Sequence, residues 1–286
     1  MRPDVRKLLP TLHGEWENCT ACALGKTRQD RGGSFVPGTG RPGGLMFIAD
    51  RLTADDEENG MPFSGEDGLP LRGVLERLNI KDYYLTSIVA CRSCTLQTTD
   101  TGEPLLRKNF RTKRMDLVYR DELPTAAEYG ACRARLLEEI YLVDPTVIVG
   151  LGGQVYEALT GRPMTIARDH GKPVQIEIPG ASWSPKLTDK KQDWSRKTKD
   201  GLVTPVEQNT VRYYFLPTFA PHYVRRYLSD HGVDSAFSVF ANDIRTALRT
   251  HEAYLALQQK KPLVSPQQGH NEDDLLALQM EQESLE

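Results

Sequence analysis

The sequence has no long apolar run. None of its hydrophobic stretches approaches the roughly 18 to 20 residues that a helical membrane span requires, so nothing in it reads as a transmembrane segment. Residues 1–12 lack the apolar core of a secretory leader, and a cytoplasmic protein is expected. Cysteine is scarce: 286 residues hold five, Cys19, Cys22, Cys91, Cys94 and Cys132. An odd number in a chain without an export signal argues against a disulfide framework and favours metal ligation. A surplus of positive charge is missing as well. The formal net charge is -3, but six acids (Glu272, Asp273, Asp274, Glu281, Glu283, Glu286) follow Lys261 with no Lys or Arg among them. Without those six, -3 becomes +3. Total charge therefore gives no argument for a nucleic-acid partner, and only a local patch could.

What is present alternates between strand-like and helix-like segments. Residues 45–49 (LMFIA), 83–90 (YYLTSIVA) and 147–151 are short apolar runs of the kind found in buried parallel strands. Residues 173–178 and 211–216 read as further strands. Residues 69–78 carry Leu71, Val74, Leu75 and Leu78 at helical spacing. Residues 125–142 read as a helix opened by a capping box of Thr125 and Glu128. Short and long helices are expected over 154–159 and 233–257. Such alternation predicts an α/β fold with a mainly parallel sheet, whose ligands sit at the carboxyl ends of the strands. Two stretches, 95–121 and 183–209, look like surface-loop insertions in a single domain spanning 1–260. The first contains RKNFRTKRMDLVYR, six basic residues against one acid. Residues 261–286 read as an acidic, disordered tail.

Spacing alone leaves the cysteines open. Cys19-x-x-Cys22 and Cys91-x-x-Cys94 together suit a four-thiolate zinc site. Cys19, Cys22, Cys91 and Cys132 suit an iron–sulfur cluster, with Cys94 spare. Some of these thiols could also be no more than small buried apolar groups.

The order of motifs is informative. A CxxC pair precedes FVPGTGRPGGLMFIAD, MPFSGEDGLPL, YLTSIVACR, LPTAAEYGACRARLLEEI, PTVIVGLGG and LPTFAPHYVRRY. This series resembles the iron–sulfur uracil-DNA glycosylases, family four of that superfamily, over residues 19–227. The resemblance implies a three-layer α/β/α sandwich with a central mainly parallel sheet. It implies a structural [4Fe–4S] cluster on Cys19, Cys22, Cys91 and Cys132, DNA as partner, and base excision by a monomeric enzyme. It also implies roles for single residues. Asp50 falls where the family carries a Glu that stabilises positive charge on the sugar or orients a water. Phe63 matches the aromatic residue that stacks on the flipped base. Arg225 matches a phosphate-binding Arg, to which Arg226 adds, and the insertion's Arg111, Lys113 and Arg114 could track the DNA backbone.

Two departures stand out. The uracil-reading Asn is replaced by Ser87, and a hydroxyl cannot reproduce the bidentate pattern of an amide. The His that donates to the departing base falls at Ala220, with His222 two residues on as a substitute. Both changes reduce volume. They point to a pocket rebuilt for a bulkier modified pyrimidine, such as the hydroxymethylated or glucosylated cytosines of phage DNA. A role in anti-phage defence would follow. An ordinary uracil glycosylase of base excision repair and a non-catalytic DNA-binding module are the alternatives.

Overall fold

Three apolar runs form the centre of one sheet in the computed structural model, which describes residues 5–108, 113–179, 210–227 and 235–260. The chain begins with α1 (Val5–Trp16), α2 (Ala23–Arg31), β1 (Thr39–Gly40), β2 (Leu45–Ala49) and α3 (Ala54–Asn59). A 3-10 turn (Glu66–Gly68) leads into α4 (Leu69–Arg77) and β3 (Tyr83–Ser87). Four short strands follow: β4 (Cys94–Leu96), β5 (Leu106–Lys108), β6 (Met115–Leu117) and β7 (Tyr119–Asp121). Then come α5 (Ala126–Val143), β8 (Val147–Leu151), α6 (Gly153–Thr160), α7 (Ile166–Asp169), β9 (Val174–Pro179), β10 (Thr210–Thr218), α8 (Pro221–Arg226) and α9 (Ala236–Lys260).

The sheet order is β1-β3-β2-β8-β10-β9, parallel in the middle and antiparallel at both edges. Side chains of a strand alternate between faces, and here each face has its own core. Met46, Ile48, Tyr84, Ile148 and Phe215 pack with α1, α5 and α6. Leu45, Phe47, Leu85, Val149, Tyr214 and Leu216 pack with α4, α8 and α9. The expected three-layer sandwich is the observed one. From β2 the chain moves outward to β3, and from β8 it moves the other way to β10. The order therefore reverses between β2 and β8, and their carboxyl ends frame the crevice where such sheets bind ligands.

Several features differ from the sequence reading. Residues 95–121 are not a plain surface loop: β4 pairs with β7 and β5 with β6, both antiparallel. Their side chains are largely exposed, so no buried face imposed a period-two pattern on the sequence. The N-terminal helices α1 and α2 were unread. Pro10 lies inside α1, where a proline is a helix-breaking signal, and α2 is almost wholly polar. The second insertion, 183–209, and the tail, 261–286, lie outside the described residues.

Candidate active site

Asp50 follows the last residue of β2 and is only 7% exposed. Burial raises its carboxyl to about 7, against the pull of the neighbouring Arg51 guanidinium and with a smaller push from Asp67. Its place is set by the next strand. Gly152, one residue past β8, has a φ of 111°, and a Cβ there would collide with Asp50 Oδ2. A glycine serves both needs, the left-handed backbone and the close approach.

The loop after Asp50 is fastened by a capping box: Thr53 accepts from Asp56 N, and Asp56 Oδ2 accepts from Thr53 N at 2.9 Å. Asp56 Oδ1 accepts from Ser64 N at 2.8 Å, which draws the 61–65 segment over the crevice. Phe63 adopts φ of 60°, a costly backbone for an aromatic residue. Arg72 of α4 holds it there by donating to the carbonyls of Phe63 and Gly65. On the opposite side, Pro221 starts α8 and delivers His222 in its first turn. Burial lowers the His222 imidazole to about 4, helped by Arg51 and Arg226 and opposed by Asp67. Asp50, Arg51, Asp56, Phe63, Asp67 and His222 line one pocket.

Ser87 and Ala220 are not among the residues lining that pocket. Ser87 is buried, and its hydroxyl donates to the Ala49 carbonyl at 3.3 Å. Ala220 is buried as the N-cap of α8. Arg225 is already paired with Glu66 and with Asp67 Oδ1, the latter at 3.0 Å, while Arg226 is exposed beside it. Lys113 and Arg114 are exposed next to β6, and Arg111 lies outside the described residues.

The thiols gather in a second cavity. Cys19, Cys22, Cys91 and Cys132 wall one cavity with Trp16, Phe35 and Arg135. It holds about 310 Å³ of atom-free space including its mouth. Burial pushes the Cys91 thiol up to about 12; Arg28 pulls it down, and the nearby Cys132, Cys22 and Cys19 add to the rise. Cys94 sits elsewhere, among Arg31, Arg92, Glu57 and Asp121. The set formed by the two CxxC pairs is therefore not brought together. Among the described residues, no three His, Cys, Asp or Glu side chains close to the spacing of a single ion's ligand shell.

Helix α5 links this cavity to the sheet. Arg135 is 1% and Glu139 0% exposed, 2.8 Å apart. Burial alone would raise Glu139, but Arg135 and hydrogen bonds from His13 and Thr86 outweigh it and bring the carboxyl to about 2. Arg135 also donates to the Ser87 carbonyl at 2.5 Å; burial works against its charge, but Cys132 and Glu139 outweigh that and hold it charged.

Residues 37–245 match the uracil DNA glycosylase superfamily. The chain belongs to this superfamily. It is also similar to two curated type-4 uracil-DNA glycosylases. The protein of Pyrobaculum aerophilum is 30% identical over 147 residues, 50% of this chain and 60% of the relative. The chain thus matches less than two thirds of that relative's length. The protein of Thermotoga maritima is 27% identical over 172 residues, 59% of this chain and 74% of the relative. The superfamily match takes in every residue lining the pocket, together with Cys91 and Cys132, and begins after Cys19 and Cys22. Sequence reading of this superfamily member missed Arg51, Asp56 and Asp67. Each looks like an ordinary charged loop residue, and only the closure of the 50–68 segment makes it part of a pocket wall.

Proposed function

We propose that this chain is a DNA glycosylase that flips a pyrimidine into the pocket beside Asp50, cuts it from its sugar and leaves an abasic site. The observation that carries the reading is the convergence of Asp50, Phe63 and His222 on one pocket at the carboxyl ends of the strands. Phe63, fixed by Arg72, offers a ring face on which any flipped base can stack. As the glycosidic bond breaks, its electron pair leaves with the base and positive charge builds on the sugar. A carboxylate at Asp50 stabilises that charge and takes the proton of the attacking water. His222, kept neutral by burial, can offer a hydrogen bond to the base.

The substrate we favour is a bulky modified pyrimidine of phage DNA, such as hydroxymethylated or glucosylated cytosine, with a role in anti-phage defence. Supporting it, Ser87 spends its hydroxyl on Ala49 and Ala220 offers only a methyl group, so neither position presents an amide or imidazole to a base edge. A second reading, excision of uracil for repair, is favoured by the relatives' own activity. Arg226, Lys113 and Arg114, with Arg111 and an Arg225 released from its acids, would meet the DNA backbone. We read residues 1–260 as one monomeric, cytoplasmic domain with 261–286 as its tail. Among the described residues no helix is long and apolar enough to cross a membrane.

The donor set fits a [4Fe–4S] cluster: four thiols face one cavity with otherwise largely apolar walls, and the Arg135 guanidinium lines the same cavity. Cys19, Cys22, Cys91 and Cys132 would hold it. Bound there, it would act structurally, tying α2 and the insertion-bearing segment to α5.

The test is abasic-site formation on uracil-containing, plain, and hydroxymethyl- or glucosyl-cytosine DNA, with wild type and Asp50→Ala. Release from modified DNA alone, lost in the variant, is expected. Release from uracil DNA alone would overturn the modified-base reading, and no release from any DNA would make the chain a binding module.

A further inference from the structure

A base leaving its sugar as an anion must enter a pocket whose wall already holds three carboxyl groups, Asp50, Asp56 and Asp67. Like charges repel in a partly dry cleft, so a cation facing the departing base would offset more of that repulsion than a neutral donor could. His222 cannot supply one near neutral pH, because burial has lowered its imidazole to about 4. Asp56 cannot turn to face the base as a neutral donor without giving up Thr53 and Ser64. Among the described residues, the one guanidinium in the pocket wall is that of Arg51, the residue after Asp50. One of its nitrogens, Nη2, donates to Asp67 Oδ2 at 3.2 Å. That pair fixes the side chain, which is 20% exposed. Its Nε is buried and has no hydrogen-bond partner. Among the described residues four other arginines also carry a buried, unpartnered Nε, but none of them lines this pocket. A buried donor without a partner is expensive, and its persistence at a site calls for a ligand that completes it.

We propose that Arg51 is the group that receives the leaving base: its guanidinium donates to a carbonyl oxygen of the flipped pyrimidine and neutralises the negative charge arriving there. The inference rests on the glycosylase reading above. In the step, the bond between C1′ and the base nitrogen breaks and both electrons go to the base, delocalised onto its carbonyl oxygen. Water adds to C1′, giving its proton to Asp50, and the base takes a proton from solvent on release. Arg51 exchanges no proton. It acts as a fixed charge, already aimed by Asp67, so little reorganisation is needed when the charge appears. Cytosine-type bases suit such a donor well, because N3 and O2 on their pairing edge are adjacent acceptors that a guanidinium can bridge. In uracil N3 carries a hydrogen.

The experiment is single-turnover base release from the DNA that wild type opens, compared for Arg51→Gln, Arg51→Lys and Asp67→Asn. Binding to the same duplex carrying an uncleavable 2′-fluoro nucleotide is measured in parallel. Arg51→Gln should lose about 10²- to 10³-fold in the chemical step, the usual cost of one charge-stabilising donor. Its duplex binding should change by less than about threefold. Arg51→Lys should recover part of the rate, and Asp67→Asn, which breaks the same ion pair but keeps the cation, should lose less than about tenfold. A 6-aza base, whose anion is more stable and whose C5 stays free to carry the modification, should shrink the Arg51→Gln penalty. Equal losses in Arg51→Gln and Asp67→Asn would reduce Arg51 to a structural ion pair. So would a penalty that ignores the leaving group, and an unchanged rate in Arg51→Gln would leave it no part in the step. Wild type inert on every DNA would instead refute the glycosylase reading itself, before any variant is compared.

Discussion

Replacing Asp50 by Asn should stabilise the protein, and the gain should depend on pH in a set direction. The folded carboxyl titrates at about 7 and the free one at 3.8. Because the folded value is the higher, wild type loses stability as pH rises from about 3.8 to about 7, and above that the loss is complete. At about 1.4 kcal/mol per pH unit the ceiling is about 4 kcal/mol at pH 8.5, and about half of that remains at pH 5.5. Asn has the same shape and no charge to desolvate, so it removes the whole of this cost. For a chain of this size the gain at pH 8.5 corresponds to a rise in melting temperature on the order of 10 °C, shrinking by about half at pH 5.5. The assay is a pair of thermal melts at the two pH values, with base release measured on the same samples. A more stable and inactive variant would mark Asp50 as a charge held in place against the fold's own preference. A lower melting temperature at pH 8.5, or equal gains at both pH values, would refute the reasoning.

Glu139→Gln should cost about 3 to 5 kcal/mol, since it strands the fully buried Arg135 without its counter-charge. The shift in the urea midpoint measures it, and a loss under about 1 kcal/mol would show the pair to be dispensable. Cys132→Ser should abolish the brown colour and the absorbance near about 400 nm of the purified protein, whereas Cys94→Ser should leave both. Equal loss in the two variants would move Cys94 into the ligand set.

The sheet was legible because its central strands are short, apolar and bounded by glycine or charge. Residues 45–49 and 147–151 are β2 and β8 to the residue, and the capping box of Thr125 and Glu128 opens α5 as read. The β3 run was read three residues too long, because residues 88–90 stay buried after the strand has ended. The hairpins of the insertion left no periodic trace, since neither buries a face. At the site, Asp50 and Phe63 follow from the order of motifs, whereas the motif's His position falls on Ala220 and the pocket is lined by His222 two residues on. Arg51 does not follow from that order, because its ion pair with Asp67 spans a loop that closes only in the fold. Arg225 kept its sequence position but not its freedom, being held by two acids that no local pattern connects to it.

The contact between Asp50 and Gly152 divides the labour of the pocket. The floor beneath the carboxylate is main chain from the neighbouring strand, and main chain has no side chain to vary. No substitution at position 152 can enlarge that spot without pushing the carboxylate aside, so the anionic centre is a fixed point of the scaffold. Arg51, Phe63 and His222, by contrast, ride on loops and on the first turn of a helix, where side chains can be exchanged. On the reading proposed above, the part of the pocket at the sugar and the part at the base are thus built on different kinds of structure, and can change at different rates.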